Sequence, residues 1–369
     1  MKIKLLKLID RLFGTVVTAC LPSGQVRPFL HLRRVLLIRP GGIGDAVLLA
    51  QPIKYIKKAY PDSHITILAE RRNCGVFSLF PQTDKVLCYD RPREFIAALQ
   101  GRYDVVIDSE QMYRLSAIVA RLVRAPMKIG FDTNERRRMF THYVPYDLNA
   151  HEADNFQALL KPLGGDDYNN AASTALEIPP GSMSKVSQLL QPLCSESFVV
   201  IFPGASIPER RWGADHFRLV AELLSEFGVK TVVVGGKEDR QQGEVIAGGG
   251  LCVNLAGLTS LSETAAVIKK SALLLSGDSG VLHIAAGLGV PTVSLFGPGR
   301  AKKWAPRGER HIVINKELPC SPCTVFGNTP PCPHNIRCMS DITVDEVVNA
   351  VTMLLNSVGA MPSNCCKRD

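Results

Sequence analysis

The sequence predicts an α/β fold made of two Rossmann-like, doubly wound halves that face each other across a cleft. The chain has 369 residues, which is more than one hydrophobic core usually supports. Short apolar runs alternate with helical patterns in both halves, as in parallel sheets covered by helices. Residues 164–173 are polar and lack periodicity. We therefore place a linker at 166–183.

The apolar runs give the order of the elements. An N-terminal segment, 1–32, and a tail, 358–369, flank the two predicted domains, 33–165 and 184–357. In the first domain the predicted strands are 34–39, 64–69, 85–89, 103–108 and 127–130. In the second domain they are 198–202, 230–234, 272–276 and 291–296. Helical patterns lie between them, so each sheet is predicted to be parallel.

A glycine-rich turn follows the first predicted strand. Residues 39–52 read R-P-G-G-I-G-D-A-V-L-L-A-Q-P, and apolar residues then recur at helical spacing. Gly41, Gly42 and Gly44 allow a ligand to approach the backbone, and the helix start favours anionic oxygen. The negative charge of Asp45 argues against a site for phosphate alone, because it would repel the ligand. It is either the N-cap of the helix or a functional carboxylate.

Nicotinamide dehydrogenases also carry a glycine-rich turn after the first strand. If Gly42 and Gly44 are the first two glycines of G-x-G-x-x-G, the third position is Val47. Close packing of helix on strand requires Gly or Ala there. Glu70 does end the second predicted strand, where a ribose-binding acid would stand. The match is partial, and the spacing argues against a dinucleotide site.

Two further blocks decide between these interpretations. Residues 202–213 read F-P-G-A-S-I-P-E-R-R-W-G, and residues 276–298 read S-G-D-S-G-V-L-H-I-A-A-G-L-G-V-P-T-V-S-L-F-G-P. Together with 39–52 they resemble, in order, the signatures of glycosyltransferase family nine, the ADP-heptose:lipopolysaccharide heptosyltransferases. Arg210 stands where the family usually has lysine, and Gly213 replaces its proline.

The resemblance implies the GT-B architecture and an inverting transfer of heptose from ADP-L-glycero-β-D-manno-heptose to the lipopolysaccharide inner core. Asp45 is the expected catalytic base, and the three glycines beside it form the expected acceptor or phosphate loop. The expected donor-binding residues are Arg210, Arg211, Glu238, Asp278, Ser279, Gly280 and His283. No cofactor is expected for catalysis, because the sequence has no D-x-D motif to hold a metal and cations can stabilise the leaving diphosphate instead.

Simpler roles exist for several of these residues. Asp278 could be a helix N-cap, His283 a core histidine, and the two adjacent arginines a solvated surface pair. At the level of function, the alternatives are a GT-B transferase that uses another nucleotide sugar for a cell-surface glycan, and a GT-B nucleotide-sugar epimerase. A non-catalytic sugar-nucleotide binding protein is a third, which the presence of Asp45 disfavours.

The positive charge is concentrated at the N-terminus. The formal net charge is +9, and residues 1–34 hold seven Lys or Arg and one acid. This distribution argues against nucleic acid as a partner. Apolar residues from Leu5 to Val16 lie at helical spacing with cations between them, as in a membrane-surface helix. A helix packed on the folded body and a signal sequence are the alternatives. We predict a cytoplasmic enzyme, peripheral on the inner face of the inner membrane, with a lipid A-core acceptor.

Eleven cysteines are present, and four lie in a loop at 319–339 that is rich in proline, glycine and asparagine. Cys320, Cys323, Cys332 and Cys338 have a spacing that could hold structural zinc or an iron–sulfur cluster. Reduced thiols are the alternative in a reducing cytosol. Cys365 and Cys366 in the tail are either palmitoylation sites or inert thiols.

Overall fold

A computed structural model describes residues 2–24, 32–165, 176–193, 197–250 and 252–362. The chain divides into two units, Met1–Ala171 and Ala172–Asp369. Each unit contains one six-stranded sheet. Most of the predicted linker and the tail cysteines Cys365 and Cys366 lie outside the described residues.

The sheet of the first unit is parallel throughout, with strand order β3-β2-β1-β4-β5-β6. Its strands are β1 (Arg34–Arg39), β2 (His64–Ala69), β3 (Lys85–Cys88), β4 (Val105–Asp108), β5 (Met127–Asp132) and β6 (His142–Pro145). The central β1 aligns Ile38 with Leu68 of β2 and with Asp108 of β4. Apolar side chains of β1 and β4 are almost fully buried, because helices cover both faces of such a sheet.

Helices surround this sheet. They are α1 (Lys2–Ile9), α2 (Thr15–Cys20), α3 (Ile43–Leu48), α4 (Ala50–Ala59), α5 (Pro92–Gln100), α6 (Arg114–Leu122) and α7 (Glu152–Ala158). A π-helical segment, Asp10–Gly14, joins α1 to α2. The 3₁₀ segments are Cys74–Leu79, Asn134–Met139 and Lys161–Leu163.

The second unit repeats the topology of the first. Its parallel sheet has the order β12-β11-β10-β7-β8-β9. The strands are β7 (Phe198–Phe202), β8 (Lys230–Val233), β9 (Cys252–Asn254), β10 (Leu273–Gly277), β11 (Thr292–Phe296) and β12 (His311–Asn315). Counted from β7, this is the strand order of the first sheet, so both units are doubly wound Rossmann-like folds.

Eight α-helices accompany the second sheet within the described residues. They are α8 (Pro180–Leu189), α9 (Ala214–Glu226), α10 (Arg240–Ile246), α11 (Leu261–Lys270), α12 (Gly280–Gly287), α13 (Ala301–Trp304), α14 (Arg337–Ser340) and α15 (Val344–Ser357). The 3₁₀ segments are Gln191–Leu193, Pro208–Arg210, Lys237–Asp239 and Gly248–Gly250. Side chains of α9 and α15 share one buried apolar cluster with those of β7 and β10.

The predicted α/β fold is confirmed, and the nine predicted strands are all present with ends shifted by at most two residues. Three strands were not predicted: β6, β9 and β12. Each lies at an edge of its sheet.

The strand order fixes where ligands are expected. In a doubly wound sheet they collect beyond the carboxyl ends of the strands at which the order reverses. In the first unit these strands are β1 and β4, and in the second they are β7 and β10. The glycine-rich turn follows β1, and Asp278 follows β10.

Candidate functional site

The turn after β1 carries the predicted base. Gly41 has φ +105°, a conformation that glycine adopts readily. A Cβ at Gly41 would lie 3.0 Å from Nη2 of Arg39. The N-cap of α3 is Gly42, and Asp45 stands at the third helical position. The capping interpretation of Asp45 is therefore wrong, and its carboxylate is available for another role.

Asp45 lies beside a buried cation. Its Oδ2 is 3.5 Å from Nη2 of Arg39, which is itself 3.2 Å from Oε2 of Glu110. The side chain of Asp45 is 22% exposed. Burial raises the pKa of Asp45 to about 6, the charge of Arg39 opposes this rise, and the charges of Glu152 and Glu110 add to it. The carboxylate is thus ionised at neutral pH yet basic enough to accept a proton.

Arg39 is positioned by the strands that meet at this edge of the sheet. Its guanidinium is fully buried and donates to the carbonyl oxygen of Ser109 at 2.8 Å and that of Pro40 at 2.5 Å. It lies 5.7 Å from the ring centroid of Phe156. Because these contacts fix the guanidinium, Asp45 faces a cation with little freedom to move.

Further carboxylates surround this pair. Glu152 is buried and accepts hydrogen bonds from Nε2 of Gln111 at 2.7 Å and the hydroxyl of Tyr146 at 2.8 Å. Glu70 accepts from the N–H of Gly41 at 3.1 Å and from Nε of Arg72 at 2.7 Å. Sequence reasoning gave none of these groups a place beside Asp45. The position of Glu110 beyond β4 was the available signal.

If Asp45 is the base of the glycosyl transfer that the sequence predicts, the pH dependence of that reaction should follow the ionisation of its carboxyl group. Because the base must be unprotonated, we expect kcat/KM to rise with pH through about 6 and to level off above it. Arg39→Gln removes the neighbouring cation and should move this limb to higher pH, whereas Arg39→Lys should keep it closer to wild type. Rates measured between pH 5 and 8 test this. A profile that does not respond to Arg39→Gln would contradict the assignment.

In the second unit, Arg210 pairs with Asp278. Nη1 of Arg210 lies 3.0 Å from Oδ2 of Asp278, and their side chains are 19% and 8% exposed. Burial raises the pKa of Asp278, and the charge of Arg210 opposes that rise. A Cβ at Gly299 would lie 2.2 Å from Oδ2 of Asp278, so only glycine leaves room for this carboxylate.

One donor of Arg210 is left over. Its Nε is buried and has no hydrogen-bond partner among the residues that the structure describes. A buried donor without a partner is costly, and an anionic oxygen would satisfy it. The neighbouring Arg211 is exposed and donates to the carbonyl oxygen of Ala205 at 3.3 Å. The two arginines thus differ in setting, which the sequence could not distinguish.

The start of α12 provides backbone donors beside Asp278. Ser279 is the N-cap, and its hydroxyl accepts from the N–H of Leu282. Asp278 is therefore not the cap, which removes its simpler role. Gly280 is the first residue of α12, and free N–H groups at a helix start favour anionic oxygen.

The remaining predicted donor residues are placed less decisively. Glu238 is exposed within the 3₁₀ segment that follows β8. His283 is buried within α12, as the interpretation as a core histidine requires. Neither position by itself indicates a ligand.

The cysteine-rich loop carries the four predicted metal ligands. No three His, Cys, Asp or Glu side chains in the described ranges are grouped so that they could hold a metal ion. Cys338 is buried, whereas Cys320 and Cys332 are exposed. The sulfur of Cys332 accepts from the backbone N–H groups of His334 and Ile336, each at 3.4 Å. Burial raises the pKa of the Cys338 thiol, and the charges of Cys323, Cys332 and Cys320 raise it further, so the four thiols lie close enough to act on one another. The zinc or iron–sulfur site stays a prediction.

The N-terminal helices turn their apolar side outward. Five side chains there are more than half exposed; these are Leu5, Leu8, Leu12, Phe13 and Val16, which we call the apolar stripe. The buried side is polar, with Oδ1 of Asp10 accepting from the N–H of Leu115 at 2.7 Å. The N-terminal helices therefore do pack on the folded body, the alternative considered above, but through this polar side, and the apolar side stays exposed. None of the described helices is long and apolar enough to cross a membrane.

The chain is similar to known proteins over most of its length. The model of glycosyltransferase family 9 (heptosyltransferase) matches residues 93–332. Lipopolysaccharide heptosyltransferase 3 of Escherichia coli is 28% identical over 288 residues, which cover 71% of this chain and 83% of that protein. Lipooligosaccharide heptosyltransferase 2 of Haemophilus ducreyi is 25% identical over 76% of this chain and 88% of its own.

Solved structures show the same fold. The glycosyl transferase family 9 protein of Veillonella parvula superposes with a TM-score of 0.75 at 24% identity, covering 89% of this chain and 99% of its own. The E. coli ADP-heptose lipopolysaccharide heptosyltransferase II gives 0.73 at 22%, covering 89% and 100%. The predicted GT-B fold class is confirmed. The family model matches well over half of the length of this chain. The chain therefore belongs to glycosyltransferase family 9, the heptosyltransferase family, and is a glycosyltransferase.

Proposed function

We propose that this protein transfers heptose from ADP-L-glycero-β-D-manno-heptose to the inner core of lipopolysaccharide, with inversion at the anomeric carbon. The relatives named above, which are heptosyltransferases of lipopolysaccharide or lipooligosaccharide, support the substrate class. The observation that carries the chemistry is the carboxylate of Asp45 beside Arg39 at the switch point of the first sheet.

Asp45 acts as the general base in this proposal. Its carboxylate accepts the proton of the attacking hydroxyl of the acceptor as the new glycosidic bond forms. The bond from the anomeric carbon to the diphosphate breaks on the opposite face, and ADP leaves with the bonding electron pair. Base catalysis of this kind contributes roughly 10²–10⁴-fold to the rate.

The departing diphosphate gains negative charge as its bond breaks. Arg210 presents a buried Nε donor without a partner in the described part of the chain, and the first N–H groups of α12 add the positive end of a helix dipole. We assign the diphosphate to these groups, with Ser279 and Gly280 at the helix start. Catalysis in this scheme requires no metal, since the sequence lacks a D-x-D motif and these donors supply the charge.

The proposal is tested by incubating the protein with ADP-heptose and defined core oligosaccharides, followed by mass spectrometry. We expect a product heavier by one heptose residue, formed equally in the presence of a chelator. NMR of the new glycosidic linkage should report inversion. Consumption of a different nucleotide sugar, or conversion of the donor without an acceptor, would instead indicate another transferase or an epimerase.

We also propose that the apolar stripe places the protein on the cytoplasmic face of the inner membrane, where a lipid-linked acceptor is available. Exposed apolar side chains on one side of a helix insert into the boundary between headgroups and acyl chains. Lys7 and Arg11 lie on the same helical segment and would add attraction to anionic lipids.

Replacing Leu12 and Phe13 by glutamate should weaken binding to anionic vesicles at least tenfold, because charge then replaces buried apolar area. The measurement is vesicle co-sedimentation. A matched control is Leu219→Glu, which introduces a charge at another exposed leucine, 47% exposed on α9, and should leave binding unchanged. Equal binding by the double variant and the control would refute a membrane role for the stripe.

A further inference from the structure

A cavity lies in the first unit, at the end of the sheet opposite to Asp45. Its volume is about 530 Å³. It is lined by residues that precede β4, β5 and β6, including Tyr103, Pro126 and Thr141. The glycine-rich turn follows the carboxyl end of β1, whereas this cavity lies at the amino ends of the strands. It is therefore separate from the candidate catalytic site.

The cavity is strongly basic. Arg102, Arg121, Arg124 and Lys128 line it, and no acidic residue is among its described lining residues. None of these four side chains lies within 4.0 Å of a carboxylate of a described acidic residue. The adjacent Asp104 is engaged elsewhere, since its Oδ2 accepts from the backbone N–H groups of Arg33 and Arg34.

The cations are held close together by the backbone. Arg102 and Arg124 form an isolated parallel β-bridge. In it the N–H of Tyr103 donates to the carbonyl oxygen of Arg124 at 3.0 Å. Lys128 is buried, and its Nζ donates to carbonyl oxygens at the end of α6, those of Ala120, Arg121 and Val123. The three N–H donors of Lys128 are thereby used, so it contributes charge to the cavity and not a further donor. The charge of Arg121 acts on this ammonium group, and a bound anion would relieve that repulsion.

The ionisation of Lys128 reflects the same field. Burial, and to a smaller extent the charge of Arg121, lowers the pKa of its ammonium group to about 8. The other side chains around Lys128 offer no carboxylate among the described lining residues. An anion in the cavity would oppose both effects, because it favours the charged form.

The cavity adjoins the N-terminal segment. Nε of Arg121 donates at 2.9 Å to the carbonyl oxygen of Pro22, just beyond α2, and Gly24 lines the cavity. At its rim Leu122 is 56% exposed. The N-terminal segment that carries the apolar stripe therefore reaches the basic cavity at Gly24. A short stretch of chain thus joins an apolar surface to a basic pocket.

We propose that this cavity binds the phosphate of an anionic phospholipid headgroup in the membrane on which the apolar stripe lies. The inference rests on the proposed membrane association. Guanidinium groups suit phosphate oxygens because their N–H donors match them in pairs. Stable attachment to a membrane generally takes two signals, an apolar element and a basic one. The stripe supplies the first, and the cavity supplies the second together with a preference for anionic lipid.

The test compares full-length protein on two kinds of vesicle, phosphatidylcholine alone and phosphatidylcholine mixed with phosphatidylglycerol. We expect Arg102→Gln/Arg124→Gln to lose about tenfold or more of its affinity for the mixed vesicles and to bind phosphatidylcholine vesicles as wild type does. The matched control is Lys58→Gln/Arg93→Gln, which removes two exposed cations elsewhere in the first unit. It should lose much less affinity. Equal losses in the two double variants would overturn the proposal.

Further measurements show whether a negative result refutes the lipid assignment of the cavity or the membrane association itself. Transfer to a soluble core oligosaccharide should be unchanged in Arg102→Gln/Arg124→Gln, because the cavity is remote from Asp45 along the strands. If glycerol phosphate or inorganic phosphate stabilises wild type against heat but not this variant, while the vesicle affinities of the two are equal, the cavity serves a soluble phosphate and the lipid assignment is wrong. If the stripe variant binds both vesicles normally, the membrane association fails, whatever the arginine variants do.

Discussion

Asp45→Asn should lower heptose transfer by 10²–10⁴-fold, because asparagine cannot accept the proton of the acceptor hydroxyl. Its affinity for ADP should be unchanged or slightly higher, since one negative charge is removed. The measurements are steady-state rates and calorimetric titration with ADP. Asp62→Asn, at an exposed aspartate of the same unit, is the matched control and should retain full activity. Retention of more than about a tenth of the wild-type rate by Asp45→Asn would reject the base assignment.

The same variant should be more stable than wild type at neutral pH. Folding raises the pKa of Asp45 from 3.8 to about 6, so the folded state binds the proton more tightly than the unfolded state. Its contribution to stability is therefore present at low pH and is lost as pH rises through about 6. Asparagine stays neutral, and we expect it to add about 1–3 kcal/mol to the free energy of unfolding at pH 7. Denaturant titration at pH 4 and pH 7 would show the gain only at the higher pH.

Arg210→Ala should weaken ADP binding by about 1.5–3 kcal/mol, which is the usual loss for a charge-assisted hydrogen bond. The loss also leaves the buried carboxylate of Asp278 without its cation, since the two side chains form an ion pair at 3.0 Å. Its pKa should then rise further. Isothermal titration with ADP measures the effect directly.

Arg211→Ala is the control for that experiment. Its guanidinium is exposed and donates only to the carbonyl oxygen of Ala205 among its described hydrogen bonds, so its removal should change ADP affinity by less than about 1 kcal/mol. Arg210→Lys should fall between the two, because an ammonium keeps the charge but loses the paired donors. If Arg211→Ala lost more ADP affinity than Arg210→Ala, Arg211 and not Arg210 would be the residue that binds the diphosphate.

The central strands could be predicted from the sequence because helices cover both of their faces. β1 and β10 are therefore continuous apolar runs. The missed strands lie at sheet edges and lack that signal. β9 has three residues, all partly exposed, and β12 is partly exposed along its length. An edge strand is defined by its hydrogen bonds to one neighbour, which the pattern of its own side chains does not reveal.

Some residues of the candidate site could be predicted from the sequence and others could not. Asp45 and Asp278 could be predicted because each stands in a glycine-rich motif directly after a strand. Glu110 and Glu152 could not, because they reach Asp45 only through the strand order and the packing of α7. Nothing local in the sequence marks a carboxylate that acts on a residue so far away along the chain.

The fit between Gly299 and Asp278 has a consequence for sequence variation. A methyl group at position 299 would lie 2.2 Å from the carboxylate oxygen of Asp278, and φ at this glycine is not in the left-handed region. The restriction is therefore one of space alone. In a library that samples every codon at this position, selection for heptose transfer should deplete even alanine, the smallest replacement. A second-site change at Asp278 to a smaller residue would relieve the clash but would remove the carboxylate that pairs with Arg210, so neither position should vary under this selection.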